Sequence, residues 1–397
     1  MDFSLNEEQR AWQLKARKFA DEEIRPLSLQ RDAIAAPRET FDWAIIKRGS
    51  QLGFRTAAVP KAWGGAGIDY VTQAIVMAEL AKADSAISKT FSQCWKWSQL
   101  IAEFCSEDQK QRFLVPFMAD DSYLLGSAST EPNAGSDKRI LVDSDIKTGW
   151  RLRAEKHGNE WLLNGEKTFI ANGPIAKLFF VNTRSNPNVS IKEGTTVFLV
   201  PSDTPGFRVG KVFNKLGWRF YQNAELIFED ARVPEANMVG KVHEGYKMRG
   251  GGFSDFELAA NAVGVCDDAA DTALRFAKRE KRGGKPLVDQ QVVQLKLNEI
   301  FMLTEALRSF VMRVAAETDG KCDRKSPAAN VLAMNFASDT IQRVTTLNLD
   351  IHGMAGAARI HSHADKLVRD SIIWTHLAGD SVQRMKAVDK LKTEQKQ

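Results

Sequence analysis

Apolar residues recur at helical spacing through the first 120 or so positions. Between Leu5 and Ile24, Trp12, Ala16, Phe19 and Ala20 fall on one face, and Asn6-Glu7-Glu8 suits a helix N-terminus. A second amphipathic stretch runs through Phe41–Leu52. Pro60 and Gly64-Gly65-Ala66-Gly67 then break the chain. Helical spacing resumes in Val71–Lys82 and Ser85–Cys105, and Ser106-Glu107-Asp108-Gln109 opens another helix. From about residue 122 the pattern shortens. Trp161–Gly165, Leu178–Asn182, Thr195–Val200 and Ala224–Phe228 read as strands punctuated by Gly, Pro and Asn, with Asn164-Gly165 expected as a hairpin turn. After Gly240 four long helical patterns follow: Ala259–Lys278, Val292–Thr318, Pro327–Leu349 and Ala364–Lys390. They predict an antiparallel bundle, with Leu391–Gln397 as a fraying tail. The predicted architecture is α+β: an N-terminal helical domain (1–120), a small central β domain (121–238) and a C-terminal four-helix bundle (239–397).

Composition narrows the class. A chain of 397 residues with 43% apolar content suits two or three domains with ordinary cores. No stretch reaches the ~18–20 uninterrupted apolar residues of a membrane span. The opening MDFSLNEEQR is polar and acidic, unlike a signal or transit peptide, so the cytoplasm is the expected compartment. The net charge of +5 is scattered among acidic residues and forms no nucleic-acid stripe. Cys94, Cys105, Cys266 and Cys322 lack metal-type spacing and are expected as free thiols. His361-x-His363 has no acidic or thiol neighbour at helical spacing and is read as solvated rather than metal-binding.

Several motifs are sharper than the element order. Thr130-Glu-Pro-Asn-Ala-Gly-Ser-Asp137 and Gly165-Glu-Lys-Thr-Phe-Ile-Ala-Asn-Gly173 are followed by Lys215-Leu-Gly217, then by Phe228-Glu-Asp-Ala-Arg-Val-Pro234. Together with Pro60–Gly67, Phe104–Leu114 and Arg369-Asp370, in this order, they resemble the acyl-CoA dehydrogenase family across nearly the whole chain. A Gly-Ser turn after a strand can aim N–H groups and a hydroxyl at a flavin edge. Its bland reading is a tight turn with a capping Ser. The resemblance implies FAD as a noncovalent cofactor, with Thr130 and Ser136 on the flavin and Phe169 and Ala171 beside its ring. Phe169 stands where the family usually carries Trp. No G-x-G-x-x-G follows a strand, as suits a family that binds its dinucleotide without that fold. The family's Arg that reaches a neighbouring subunit's flavin is replaced by Glu280, which leaves Arg279 or Arg282 to substitute, with Gln291 nearby. The bland reading of these groups is a solvated helix end. Gly353-Met-Ala-Gly356 resembles a degraded copy of the family's glycine turn.

The resemblance implies oxidation, or the reverse reduction, at the α–β bond of an acyl-CoA. An α-proton is weakly acidic, so a carboxylate base is required. The family's usual base position falls on Ala378, which cannot accept a proton. Relatives that carry the base on the first C-terminal helix point to Glu257 in Asp255-Phe256-Glu257, where the following Arg is absent. Asp255 and Asp380 are further candidates; each of the three has a helix-capping or surface alternative. The helix over Ser85–Glu103 is expected to line the acyl chamber. Residues two apart cannot share a helical face, so either Trp95 or Trp97 points inward and favours a compact, cyclic or aromatic acyl group over a long chain. Ordinary core packing is the alternative for both. Trp218 and Tyr221 are further wall candidates. Implied partners are an external electron acceptor such as an electron-transfer flavoprotein and further copies of the chain, as a tetramer or dimer. A mixed oligomer with this chain as a supporting FAD-binding subunit, and a flavin-dependent monooxygenase, remain as alternatives because the usual base is missing.

Overall fold

The computed structural model describes residues 4–136, 149–248, 256–322, 326–358, 363–377 and 380–394. The N-terminal part comprises helices α1 (Glu7–Phe19), α2 (Arg25–Ala33), α3 (Trp43–Gln51), α4 (Tyr70–Ala81), α5 (Ser85–Phe104), α6 (Glu107–Gln109) and α7 (Val115–Ala119), with a π-helical turn joining α1 to α2. Local chemistry explains where they start. Asn6 accepts the Gln9 N–H while the Gln9 side chain accepts the Asn6 N–H, a reciprocal cap for α1. Asp84 accepts from Ala86 and Ile87 and so starts α5.

The central unit is a mixed sheet of β1 (Leu125–Ala128), β2 (Arg153–His157), β3 (Glu160–Ala171), β4 (Leu178–Arg184), β5 (Thr195–Pro201), β6 (Phe207–Val212), β7 (Asn223–Pro234) and β8 (Met238–Val239), with a short helix α8 (Ile191–Gly194) before β5. Among the described residues the order is β6-β7-β3-β2-β4-β5-β8, and β1 pairs in parallel with β4. The expected hairpin at Asn164-Gly165 is corrected. Strand β3 runs straight through these residues, and its register against β7 shifts between Leu163 and Gly165. Asn164 exchanges two hydrogen bonds with Asp230, and Gly165 adopts φ +133°. This Asn-Gly pair makes a bulge, because the partner strand offers Asp230 to satisfy the Asn side chain.

Helices α9 (Glu257–Arg279), α10 (Gln291–Thr318), α11 (Ala329–His352) and α13 (His363–Leu377) form the C-terminal bundle. A small hairpin of β9 (Lys281–Arg282) and β10 (Lys285–Pro286), a short α12 (Met354–Ala357) and a final α14 (Ser381–Glu394) complete the chain. The α+β architecture of helices, β unit and bundle is as the patterning predicts. The single helix expected over Ala364–Lys390 is instead two, α13 and α14. Asp380 accepts the Gln383 N–H at 2.9 Å, a cap that starts a new helix. His363 is also corrected. Its Nε2 lies 2.8 Å from Asp268 Oδ2 on α9, a partner that sequence spacing could not show. His361 lies outside the described residues. No described helix is long and apolar enough to cross a membrane, and no described trio of His, Cys, Asp or Glu could hold a metal ion.

One buried network ties the three parts together. Asp370 on α13 accepts from Lys366 (2.6 Å), Ser85 Oγ (3.2 Å) and the Trp218 N–H (2.7 Å). Lys366 also lies 3.1 Å from Asp84. Arg369 grips Asp32 with two bonds of 3.0 and 2.6 Å and donates to the Leu216 carbonyl. Gly217 is required here: a Cβ would lie 2.3 Å from the Arg369 carbonyl oxygen. The Lys215-Leu-Gly217 and Arg369-Asp370 motifs are therefore two halves of one contact that fixes the β unit against the bundle.

Candidate active site

The first cluster joins the two longest motifs. Glu131, buried, accepts from Lys167 Nζ (2.7 Å) and the Leu152 N–H (3.0 Å) on Oε1, and from the Arg151 N–H (2.6 Å) on Oε2. The Thr168 N–H donates to the Thr130 carbonyl at 2.8 Å. Burial pushes the Lys167 ammonium down to about 8 against the pull of Glu131. These bonds fix the turn bearing Thr130 and Ser136 against β3. Two residues beyond Lys167, Phe169 adopts φ +55° where the β3–β7 register shifts again. The residue is 56% exposed, and its ring stacks on Phe213 with centroids 4.2 Å apart. Asn223 Nδ2 donates to the Phe169 carbonyl (2.8 Å), and Lys215 Nζ donates to Asn223 Oδ1 (2.6 Å). Burial holds Lys215 down to about 7, opposed by Asp370 and assisted by Arg219. Ala171 ends β3 opposite Asn223, and Ser136 Oγ donates to Asp380 Oδ2 at 3.4 Å. A large apolar ring held outward by left-handed backbone, beside a hydroxyl-bearing turn, fits a planar cofactor with a polar edge.

The second cluster lies where α5 meets α9. Glu257, first residue of α9 and buried, accepts from Lys89 Nζ at 2.6 Å on Oε1; its Oε2 is buried without a hydrogen-bond partner among the described residues. Lys89 also donates to Gln93 Oε1 (3.1 Å), which accepts from the Tyr221 hydroxyl as well (3.0 Å). Burial, reinforced by Glu257 and Cys94, holds the Tyr221 hydroxyl well above the ordinary tyrosine range, so it remains a neutral donor. Trp218 and Trp374 meet edge to face with centroids 4.8 Å apart, and Tyr221 packs on Trp218 at 5.8 Å. Trp374 Nε1 donates to the Leu258 carbonyl at 2.8 Å, which fixes the first turn of α9 beneath these rings. The Trp218 Nε1–H is buried and has no hydrogen-bond partner among the described residues. The site thus combines a carboxylate, an ammonium and aromatic walls, shielded from water.

The tryptophans separate as helical geometry requires. Lys89, Gln93 and Trp97 are spaced four apart and share a face of α5. Trp97 packs on Phe180 of β4, centroids 4.9 Å apart. Trp95 points the other way, into the N-terminal core, where its indole donates to the Phe54 carbonyl at 2.6 Å. Arg279 and Arg282 lie exposed at the β9–β10 hairpin, both facing Glu280 (3.1 and 3.7 Å), and Gln291 is exposed at the start of α10. Gly353 ends α11 with φ +58°, and Gly356 packs under His352. Asp255, Asp137 and Ala378 lie outside the described residues. Sequence reading missed the Glu131–Lys167 and Lys89–Glu257 pairs. The one available signal for the latter was Lys89 and Gln93, four apart in α5.

Comparison with known proteins agrees with this layout. The acyl-CoA dehydrogenase N-terminal, middle and C-terminal domain models match residues 6–121, 126–231 and 253–390. The chain is 32% identical to an acryloyl-CoA reductase (NADH) from Anaerotignum propionicum, over 96% of this chain and 93% of that protein. It is 30% identical to a cyclohex-1-ene-1-carbonyl-CoA dehydrogenase from Syntrophus aciditrophicus (strain SB), over 89% and 82%. The butyryl-CoA dehydrogenase structure from Megasphaera elsdenii superposes with a TM-score of 0.87 at 29% identity, covering 98% of this chain and 100% of that one. The chain belongs to the acyl-CoA dehydrogenase family. It is a flavin oxidoreductase of that type, with FAD as its cofactor.

Proposed function

We propose that this protein dehydrogenates the α–β bond of a compact, short or ring-bearing acyl-CoA, or reduces the corresponding enoyl-CoA, with Glu257 as the group that exchanges the α-proton. The observation that carries this reading is the buried Oε2 of Glu257, which has no hydrogen-bond partner among the described residues and lies in the electrostatic reach of the Tyr221 hydroxyl. FAD supplies the hydride acceptor when bound. Thr130, Ser136, Phe169 and Ala171 hold its ring, and Arg279, Arg282, Gln291, Gly353 and Gly356 meet the flavin of a neighbouring copy. Two relatives bear names for compact acyl-CoA substrates, one of them cyclic, which supports the size class. Val292, Leu295 and Met302 leave one side of α10 exposed and apolar, which favours a homo-oligomer, tetramer or dimer; the cytoplasm is its proposed compartment. An electron-transfer flavoprotein is the acceptor that would reoxidise the flavin.

The test is product analysis. FAD-reconstituted protein is incubated with acyl-CoAs graded in length and ring content and with an artificial electron acceptor. Loss of two hydrogens from a short or cyclic acyl group is expected. A product of oxygen insertion, or turnover only after a second chain is added, would contradict the proposal. The same preparation should be yellow and oligomeric, and a colourless monomer after careful reconstitution would refute the cofactor and assembly claims together.

Trp97 sets the size limit on this reading. Trp97→Ala opens the far end of the face that carries Lys89 and Gln93, and should extend chain-length tolerance while leaving FAD content unchanged. If palmitoyl-CoA is already the best substrate of the unmutated protein, the size argument fails.

A further inference from the structure

We infer that Lys89 is a positioning residue for the proton-accepting carboxylate: it holds Glu257 Oε1, and so assigns Oε2 as the oxygen that takes the α-proton. This rests on the reading of Glu257 as the base.

Three observations converge on it. The Lys89–Glu257 contact is short (2.6 Å), and the two side chains are only 7% and 10% exposed. An ion pair so placed is a poor stabiliser, since apolar residues of similar volume often serve as well or better. Lys89 is itself held. Gln93 Oε1 accepts from both the Lys89 ammonium and the Tyr221 hydroxyl, and two donors converging on one atom identify it as the amide oxygen. Lastly, the two carboxylate oxygens are treated differently. Oε1 carries a charge-assisted bond while Oε2, equally withdrawn from solvent, carries none. Glu131, by contrast, has both oxygens met, by Lys167, Leu152 and Arg151. An unmet buried acceptor is costly, and at the first turn of α9, beside the Lys89 ammonium, it fits an oxygen kept for a ligand.

In the resulting step the Cα–H bond breaks and its proton goes to Glu257 Oε2. The electron pair left on Cα becomes the second bond of Cα=Cβ, and bound FAD would supply the acceptor for the β-hydride. Glu257 passes from carboxylate to neutral acid. Lys89 keeps Oε1 throughout, so the acid cannot swing away before product leaves.

The test compares Lys89→Met, Lys89→Gln and Lys89→Arg as FAD-loaded oligomers, with butyryl-CoA and cyclohexanecarbonyl-CoA as probes. A misaimed base should slow substrate-driven flavin reduction at saturation by ~10–10²-fold, with half-saturation little changed. Arg should restore most of the rate, while FAD content and reduction by dithionite should stay normal in all three. The decisive readout is coupling. Lys89→Met combined with Glu257→Gln should be no slower than Glu257→Gln alone, because Lys89 acts only through that carboxylate. Full-speed reduction in both Lys89→Met and Lys89→Gln, or fully additive losses in the double variant, would overturn the inference while leaving Glu257 as the base. Full-speed reduction in Glu257→Gln would remove the base reading and this inference with it.

Discussion

Replacing Glu257 by Gln should slow substrate-driven flavin reduction by ~10²–10⁴-fold, the usual contribution of a positioned base, while FAD remains bound. Gln keeps the shape and can still accept from Lys89, but it has no basic oxygen to receive a proton. The wild-type arrangement explains why a family member with Ala at position 378 need not be inert. On the proposed reading, Glu257 at the start of α9, where Trp374 holds the Leu258 carbonyl, supplies the carboxylate that Ala378 cannot. Asp380→Asn should have a much smaller effect, since Asp380 caps α14 and contacts Ser136, and Asn preserves the cap. Asp255→Asn should likewise leave the rate nearly intact. Stopped-flow reduction under argon separates the three: full-speed reduction in Glu257→Gln removes it as the base, and full-speed reduction in all three leaves the mechanism without one.

The second large effect is on stability. Asp370→Ala should cost about 3–5 kcal/mol, because it strips a buried ammonium of one carboxylate and leaves Ser85 and the Trp218 N–H without their acceptor. Lys366 retains Asp84, which keeps the loss from being larger. The three bonds come from three parts of the chain, so the variant should loosen the β unit from the bundle as well as lower the melting temperature. Denaturant unfolding gives the free energy, and limited proteolysis near Lys215–Tyr221 reports the loosening. An unchanged melting temperature and digestion pattern would show that the network is not what holds the parts together.

The element order and the cofactor were legible because they live in local patterns. Helical spacing placed α5 and α10 within a residue or two, and two contiguous motifs marked the turn and strand around Thr130 and Phe169. What stayed hidden depends on residues far apart. Strand β2 has only Ala154 buried among charged neighbours, so its alternation is invisible until β3 pairs with it. Asn164-Gly165 carries hairpin chemistry, yet Asp230, 66 positions away, turns it into a bulge. The Glu257 cluster is the extreme case. Glu257 could be nominated from its motif, whereas Lys89 lies 168 positions away and nothing local connects them. Composition also gave no hint that Trp95 belongs to the core and Trp97 to the face of Lys89, beyond the rule that both cannot point the same way.

The central claim, that this chain by itself dehydrogenates a compact acyl-CoA, is tested most directly by anaerobic titration of the FAD-loaded protein with butyryl-CoA and cyclohexanecarbonyl-CoA. Stoichiometric bleaching of the visible flavin band by at least one of them is the expected result. A flavin that dithionite bleaches but no short or cyclic acyl-CoA touches would contradict the account and point to a supporting subunit.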